Sequence, residues 1–380
     1  MASKRIFYAA KRVGMGAPGT NPFAGGGSFQ QLRGVQSVGM TTSFTLEQTF
    51  ELGQIAVYEH IEGIPEISVE IERVLDGYCP AYILATSQSE KAANGTLVGR
   101  SEGECDFAMS IYPDTNEVAA GTRLSHVLCA GCMVDSVSYS ADINGNATET
   151  VSLVGNNKVW YGTSPYSEND AGGSVFSDTD KITTGGSTEP KSLTTDVDGD
   201  GETGDGGVQT REDFLFGSTG STLPKDIPGV NSSGKNIETD GDLEVHVQSF
   251  ACSADLSRDN IFELGKKTIY HKHLPFPVEV SCAITVISTS GDLISATETG
   301  VQTDGNNTLD HPIQLIMREG LVVDLGAKNR LASVSVTGGD PGGGNEEVAY
   351  SYRNFNDFEV YHPQDPKSGS SGFAKPSVPS

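Results

Sequence analysis

Part of this chain occurs twice, and that repetition constrains the fold more than any other feature. Residues 35–65 and 247–277 match without a gap at a constant offset of 212. The identical pairs are Val35/Val247, Gln36/Gln248, Ser37/Ser249, Phe50/Phe262, Glu51/Glu263, Leu52/Leu264, Gly53/Gly265, Tyr58/Tyr270 and Pro65/Pro277. These are nine identities in 31 positions, where average residue usage gives about two by chance. Phe44/Leu256, Thr45/Ser257 and Val57/Ile269 are close substitutions. A retained duplication builds one unit twice, and a symmetric task such as assembly suits it better than catalysis.

Each copy runs on into an alternating segment. Residues 66–72 place Ile67, Val69 and Ile71 on one face and Glu66, Ser68, Glu70 and Glu72 on the other, the period-2 pattern of a half-buried strand. Residues 278–286 do the same, with Val278, Val280, Cys282, Ile284 and Val286 inward and Glu279 outward. Before these runs, residues 47–53 and 262–265 read as tips closed by a glycine. Later hairpins are expected at 134–154, around an Asn-Gly turn, and at 331–352. A helix is expected within 74–89. The fold class is mainly β: two tandem related β-sandwich or half-barrel domains, each with a short helix, plus an irregular acidic insertion. The organisation is an N-terminal arm (1–33), a first domain (34–162), a Gly/Asp-rich insertion or linker (163–243), a second domain (244–362) and a flexible tail (363–380).

The net charge is −25 over 380 residues, and residues 161–243 alone carry 16 acidic against 5 basic side chains. Such a balance opposes stable nucleic-acid binding, which needs basic stripes to replace counterions. It equally opposes an anionic membrane surface. No segment is apolar enough to span a bilayer, and the short apolar run at 6–10 is too brief for a secretion signal, so synthesis in the cytosol is expected.

The candidate chemical motifs are weak. Residues 14–19 match G-x-G-x-x-G, but Pro18 and Pro22 exclude the helix a dinucleotide site requires. Asp196, Asp198 and Asp200 resemble the opening of a calcium loop, yet position 12 is Gly207 where a bidentate Glu belongs. They are the one weak metal candidate. Cys129 and Cys132 form a CxxC without a second pair, and the cysteines are not shared between the copies, so buried free thiols are expected. No nucleophile elbow, phosphate loop or zincin motif is present. No catalytic residue and no cofactor are assigned.

Three runs carry a family resemblance: residues 34–39 (GVQSVG), residues 50–54 with 58–62 (FELGQ, YEHIE), and residues 153–160 (LVGNNKVW) after a hairpin. Together they resemble tail tube proteins of tailed bacteriophages, over about 30–162 and, through the repeat, over 244–362. The resemblance implies a structural virion protein, not an enzyme. Its inner sheets would join edge to edge into a ring, and rings would stack into a hollow conduit for DNA ejection. It implies an acidic lumen, assigned here to Glu66, Glu70, Glu72 and Glu279. Contacts between subunits and rings are assigned to the arm before Arg33 and to Glu47, Phe50, Glu51, Leu52, Gly53, Phe262, Glu263, Leu264 and Gly265. The implied partners are other copies of the chain, the tape measure protein, baseplate or tail-tip proteins, and in contractile tails the sheath; DNA would pass without specific binding. A duplicated chain fits trimeric rings with pseudo-sixfold symmetry, or hexameric rings in which the second copy is a decoration. The alternative is a non-viral surface β protein whose acidic loop binds calcium.

Overall fold

The computed structural model describes residues 11–19, 29–50, 52, 57–111, 125–162, 207–239, 242–266, 268–289, 291, 294–295, 301–302, 311–338, 345–367, 370 and 372–377. The first part of the chain forms β1 (Lys11–Gly16), β2 (Gln30–Gln31), β3 (Val35–Ser43), β4 (Leu46–Phe50), β5 (Val57–Glu62) and β6 (Glu66–Val74). Helices α1 (Ala81–Ser87) and α2 (Leu97–Arg100) follow, then β7 (Cys105–Ile111), β8 (Ser125–Asp142), β9 (Thr148–Gly155) and β10 (Asn157–Gly162). After the short pair β11 (Glu238–Thr239) and β12 (Asp242–Leu243) come β13 (His246–Asp255), β14 (Asp259–Phe262), β15 (Ile269–His273) and β16 (Glu279–Ile287). The chain ends through β17 (Ile294–Ser295), β18 (Val301–Gln302), β19 (Gln314–Ile316), β20 (Val322–Asp324), β21 (Arg330–Thr337), β22 (Glu347–Phe355) and β23 (Glu359–Tyr361).

The alternating segments share one sheet. β3 pairs β6, β6 pairs β9 and β9 pairs β8; β8 pairs β13, and β13, β16, β22 and β21 follow in turn. Two quartets, β3-β6-β9-β8 and β13-β16-β22-β21, therefore have the same internal order and lie side by side. The buried face carries Ile67, Val69 and Ile71 from β6 and Val280, Cys282, Ile284 and Val286 from β16, as alternation requires. One continuous core runs beneath both quartets.

β8 is 18 residues long because it serves two layers. Its first half pairs β7 and β10 in an outer sheet with β1; its second half pairs β9 and β13. The crossing point is the CxxC segment, where Gly131 sits at φ 63° and donates its N–H to the Asp106 carboxylate at 2.8 Å. Only glycine takes that conformation cheaply, so the motif is a bend between layers.

Four expectations change. The helix expected within 74–89 narrows to α1, and among the described residues the second copy carries no α-helix; a short sheet β19-β20-β23 packs there instead. The described part of the N-terminal arm is an outer-sheet strand: Met15 and Phe29 are fully buried, and β1 pairs β7 along its whole length. Residues 207–239 of the insertion are a seam filler. Leu223 and Ile227 join the core, Gln209 bridges Leu75 and Ala147 of the first copy, and Thr222 pairs Gln314 of the second. The abundant glycine and acid of the whole insertion hid these few apolar anchors. The tail expected to be flexible is docked on the first copy. Arg100, buried, meets Asp365 at 2.5 Å, Lys367 donates to the Ser89 carbonyl at 2.7 Å, and Phe373 lies buried against Arg100. A buried guanidinium demands a carboxylate, and the tail supplies it.

A buried charge cluster joins the two copies. Arg73 meets Asp76 at 2.6 Å and Glu149 at 3.8 Å. Glu149 in turn accepts the first N–H groups of α1, from Ala81 at 2.7 Å and Tyr82 at 3.1 Å, and the Tyr139 hydroxyl at 2.8 Å, a carboxylate placed at the positive end of a helix. Glu319, from the turn after β19, reaches the same cluster. Burial pushes its pKa up to about 8, with Arg73 opposing. The native state therefore holds a proton that the unfolded chain releases, and the associated stability is full below about pH 4.5 and lost as pH rises to about 8. Glu319→Gln is expected to match the parent near pH 5 and to exceed it by roughly 3 kcal/mol at pH 9. Urea melts at the two pH values check this; parallel curves for both proteins would refute it.

Candidate assembly interface

The repeat is structural down to its irregularities. The β3–β6 ladder shifts register between Val35 and Ser37, and the β13–β16 ladder between Val247 and Ser249. The extra residue of each bulge is the repeated glutamine, Gln36 or Gln248. The β4–β5 hairpin shifts between Thr49 and Phe50, and β14–β15 between Ile261 and Phe262. A third matched bulge lies at Val134/Ser136 in β8 and at Leu331/Ser333 in β21, 197 residues apart. Bulges set twist and register, so the two quartets have equivalent edges.

This equivalence defines the seam. β8, the last strand of the first quartet, pairs β13, the first strand of the second, from Ser249↔Asp142 to Asp255↔Ser136. The equivalents of those strands are β21 and β3, which lie at opposite ends of the sheet. Among the described residues β3 pairs only β6 and β21 pairs only β22. Transferring the seam register to them sets Met40 opposite Val336, Thr41 opposite Ser335 and Thr42 opposite Val334.

Burial follows the same logic. At the seam Tyr139 and Cys252 face each other, both buried, whereas Val336 is 55 % exposed. Just beyond β13, Leu256 is 2 % exposed and its N–H bonds the Asp135 carbonyl at 2.8 Å. Its repeat partner Phe44 is 61 % exposed. Arg258 locks the seam by donating to the carbonyls of Val134 at 2.6 Å and Ser101 at 2.5 Å; its partner in the repeat is Leu46, 61 % exposed. The free edges thus expose apolar groups whose counterparts at the seam are covered.

Both tips leave the sheet where β3 and β13 end. Leu52 and Leu264 are fully exposed at 104 % and 105 %, Phe262 is exposed, and Gly265 takes φ 85° at its turn. Glu263 pairs Lys266 at 2.6 Å. Glu47 lies exposed on β4, which ends at Phe50; Glu51 and Gly53 fall outside the described residues, as do Asp196, Asp198 and Asp200. Sequence reasoning missed the edge residues Phe44, Leu46 and Val336. Phe44 and Leu46 were findable, since each stands opposite a seam residue in the repeat.

Glu66, Glu70 and Glu72 are exposed on the sheet face opposite the core, and Glu279 occupies the corresponding start of β16. Small side chains fill much of the rest of that face, among them Ser37 and Thr41 from β3, Ser138 and Ser140 from β8, Ser253 from β13 and Ser281 from β16, and Val154, Arg353 and Phe355 share it. Cross-strand hydrogen bonds tie it together, Ser140 to Thr148 and Ser253 to Ser281, both at 2.8 Å. Arg353 is the counter-charge to Glu279 at 3.1 Å. The six cysteines are buried free thiols, and burial raises the pKa of Cys129 and Cys252 to about 12, which leaves them unreactive. Among the described residues no cluster of His, Cys, Asp or Glu could hold a metal ion, and no helix is long and apolar enough to cross a membrane.

No family model matches the chain, and no curated protein does. Solved structures similar to it include components of tubes and of contractile injection systems. The cap of the anti-feeding prophage tube matches at 11 % identity with a TM-score of 0.31, over 43 % of this chain and 95 % of that one. The SPP1 tail tube matches at 14 % identity with a TM-score of 0.30, over 49 % and 97 %. An Hcp protein matches at 10 % identity with a TM-score of 0.24, over 43 % and 98 %.

Proposed function

We propose that the chain is a structural subunit that closes into rings and stacks into a hollow tube, as a phage tail tube protein does. The observation that carries this reading is the seam: one chain already contains a quartet-to-quartet junction, and its two free edges repeat that junction's halves. β21 of one chain pairs β3 of the next in the seam register. The contact is heterologous and joins different patches, so it propagates until it closes. Closure removes sheet edges that would otherwise invite aggregation. Three chains of two quartets each then fill six equivalent places.

The Ser/Thr-rich face bearing Glu66, Glu70, Glu72 and Glu279 lines the lumen on this reading. Small hydroxylated side chains present few groups for a polymer to adhere to, and the carboxylates repel phosphate. DNA passes without being bound. The particle is a virion or a related injection device; the ends of the tube meet terminator, tape measure and baseplate proteins, and a sheath would contact the outer surface.

The register is directly testable. Thr41 and Ser335 lie at opposite edges of one chain, so T41C/S335C forms no disulfide within a chain. Mild oxidation is expected to yield closed covalent trimers on non-reducing gels, with either single variant staying monomeric. Random ladders or no product from the double variant would reject the edge pairing, and a closed hexamer would reject the trimeric count.

A further inference from the structure

We infer that Met40 is an oxidation site that governs ring closure: its thioether admits the β21–β3 junction, and its sulfoxide blocks it. The inference rests on the ring reading and adds a redox control to the same edge. Met40 is the half-buried one among the described methionines; Met15, Met109, Met133 and Met317 are at most 6 % exposed. It lies on the free edge strand β3 and points to the core face, directly opposite the fully buried Val69 of β6. Its partner in the repeat, Cys252, holds the same place on β13 and is 3 % exposed, because β8 covers it through Tyr139. Both copies thus put a sulfur at this position. The seam shields one of them, and only β21 of the next chain would shield the other.

The chemistry follows from this placement. A thioether needs no deprotonation to react, so access to the sulfur decides its oxidation. Hydrogen peroxide serves as the oxidant. A lone pair of Met40 Sδ attacks one peroxide oxygen, the O–O bond breaks, and the departing hydroxide takes the proton of the transferred oxygen. The products are the sulfoxide and water; sulfur loses two electrons and the peroxide gains them. The step turns an apolar side chain into a polar one. In the closed ring the new oxygen would lie among Val69, Cys129 and Val336 of the next chain. Cys129 Sγ, which donates to Met40 Sδ at 3.8 Å, is a weak donor, so the enclosed oxygen would lose most of its hydration without return. On the free edge the same oxygen stays in water. Oxidation therefore weighs on closure and little on the isolated chain.

Peroxide treatment before and after assembly tests this. The dispersed parent is expected to gain one oxygen at Met40, read by peptide mass spectrometry. Its ring constant, read by sedimentation, should then fall at least about tenfold, and a methionine sulfoxide reductase should restore it. Preformed rings should resist the same treatment, with Met40 unmodified. M40L keeps the volume of the side chain, so it should close into rings with or without peroxide. Three results would overturn the proposal: Met40 sulfoxide chains that close at parental concentration, Met40 oxidised as fast in rings as in dispersed chains, or peroxide-treated M40L losing closure as the parent does. An untreated parent that forms no rings removes the ring reading itself, and this inference with it.

Discussion

Val336→Lys is expected to yield a folded monomer that forms no rings. Val336 lies on the free edge strand β21 and is 55 % exposed, so a lysine there costs the isolated chain little; surface changes of this kind are usually within about 0.5 kcal/mol. Its counterpart at the internal seam, Tyr139, is 1 % exposed. In the proposed ring Val336 would meet Met40 of the next chain and be covered as Tyr139 is. A lysine buried there without a partner is penalised by several kcal/mol, and inward-pointing edge charges are how natural sheets refuse edge pairing. The ring constant should fall at least 100-fold, since about 2.7 kcal/mol suffices for that. Sedimentation of the variant should show monomer where the parent shows rings, with thermal midpoints within a few degrees. Met40→Lys, on the opposite edge, should behave alike. Rings from either variant at parental concentration would mean that these edges do not meet.

Arg73→Ala is expected to have the largest effect on folding. The guanidinium is wholly buried and meets Asp76 and Glu149, and it donates to the Cys79 carbonyl at 2.7 Å. Removing it strands carboxylates in a dry site, which costs about 3–5 kcal/mol. Glu149 would lose its counter-charge while still fixing the start of α1. The variant's deficit should shrink as pH falls from 7 to 5, because protonating the stranded carboxylates relieves it. For each such group the folded pKa rises above the unfolded one, so stability is gained on the acid side. Urea melts of parent and variant across that range measure both parts. A deficit under about 1 kcal/mol, or one independent of pH, would show that the cluster is hydrated or rearranges. Together with Glu319→Gln this separates the roles: Arg73 neutralises the cluster, and Glu319 is its excess acid.

Much of the fold was legible in local patterns. Alternation in β6 and β16 identified the buried face there, Ile67, Val69, Ile71, Val280, Cys282, Ile284 and Val286, since a strand has a period of two whatever its neighbours. Residues 47–53 and 262–265 were recognisable as tips from a repeated Phe-Glu-Leu-Gly. Other parts were not legible because single residues decided them. Asp365 and Phe373 anchor the tail, and Leu223 and Ile227 anchor the segment between copies, but each is diluted among glycine, serine and acid. Likewise, the arm residues Val13 and Met15 form a strand only because β7 offers an edge to pair with.

What the sequence determined by itself is that one unit is built twice, which face of each unit is dry, and where its hairpins fall. These follow from short-range periodicity and from matched residues such as Gln36 and Gln248. What only the tertiary structure decided is which strands are neighbours. The pairing of β8 with β13 joins residues more than 100 positions apart, and no local pattern encodes it. That one pairing leaves β3 and β21 at the free edges, turning a duplicated chain into one with two complementary ends.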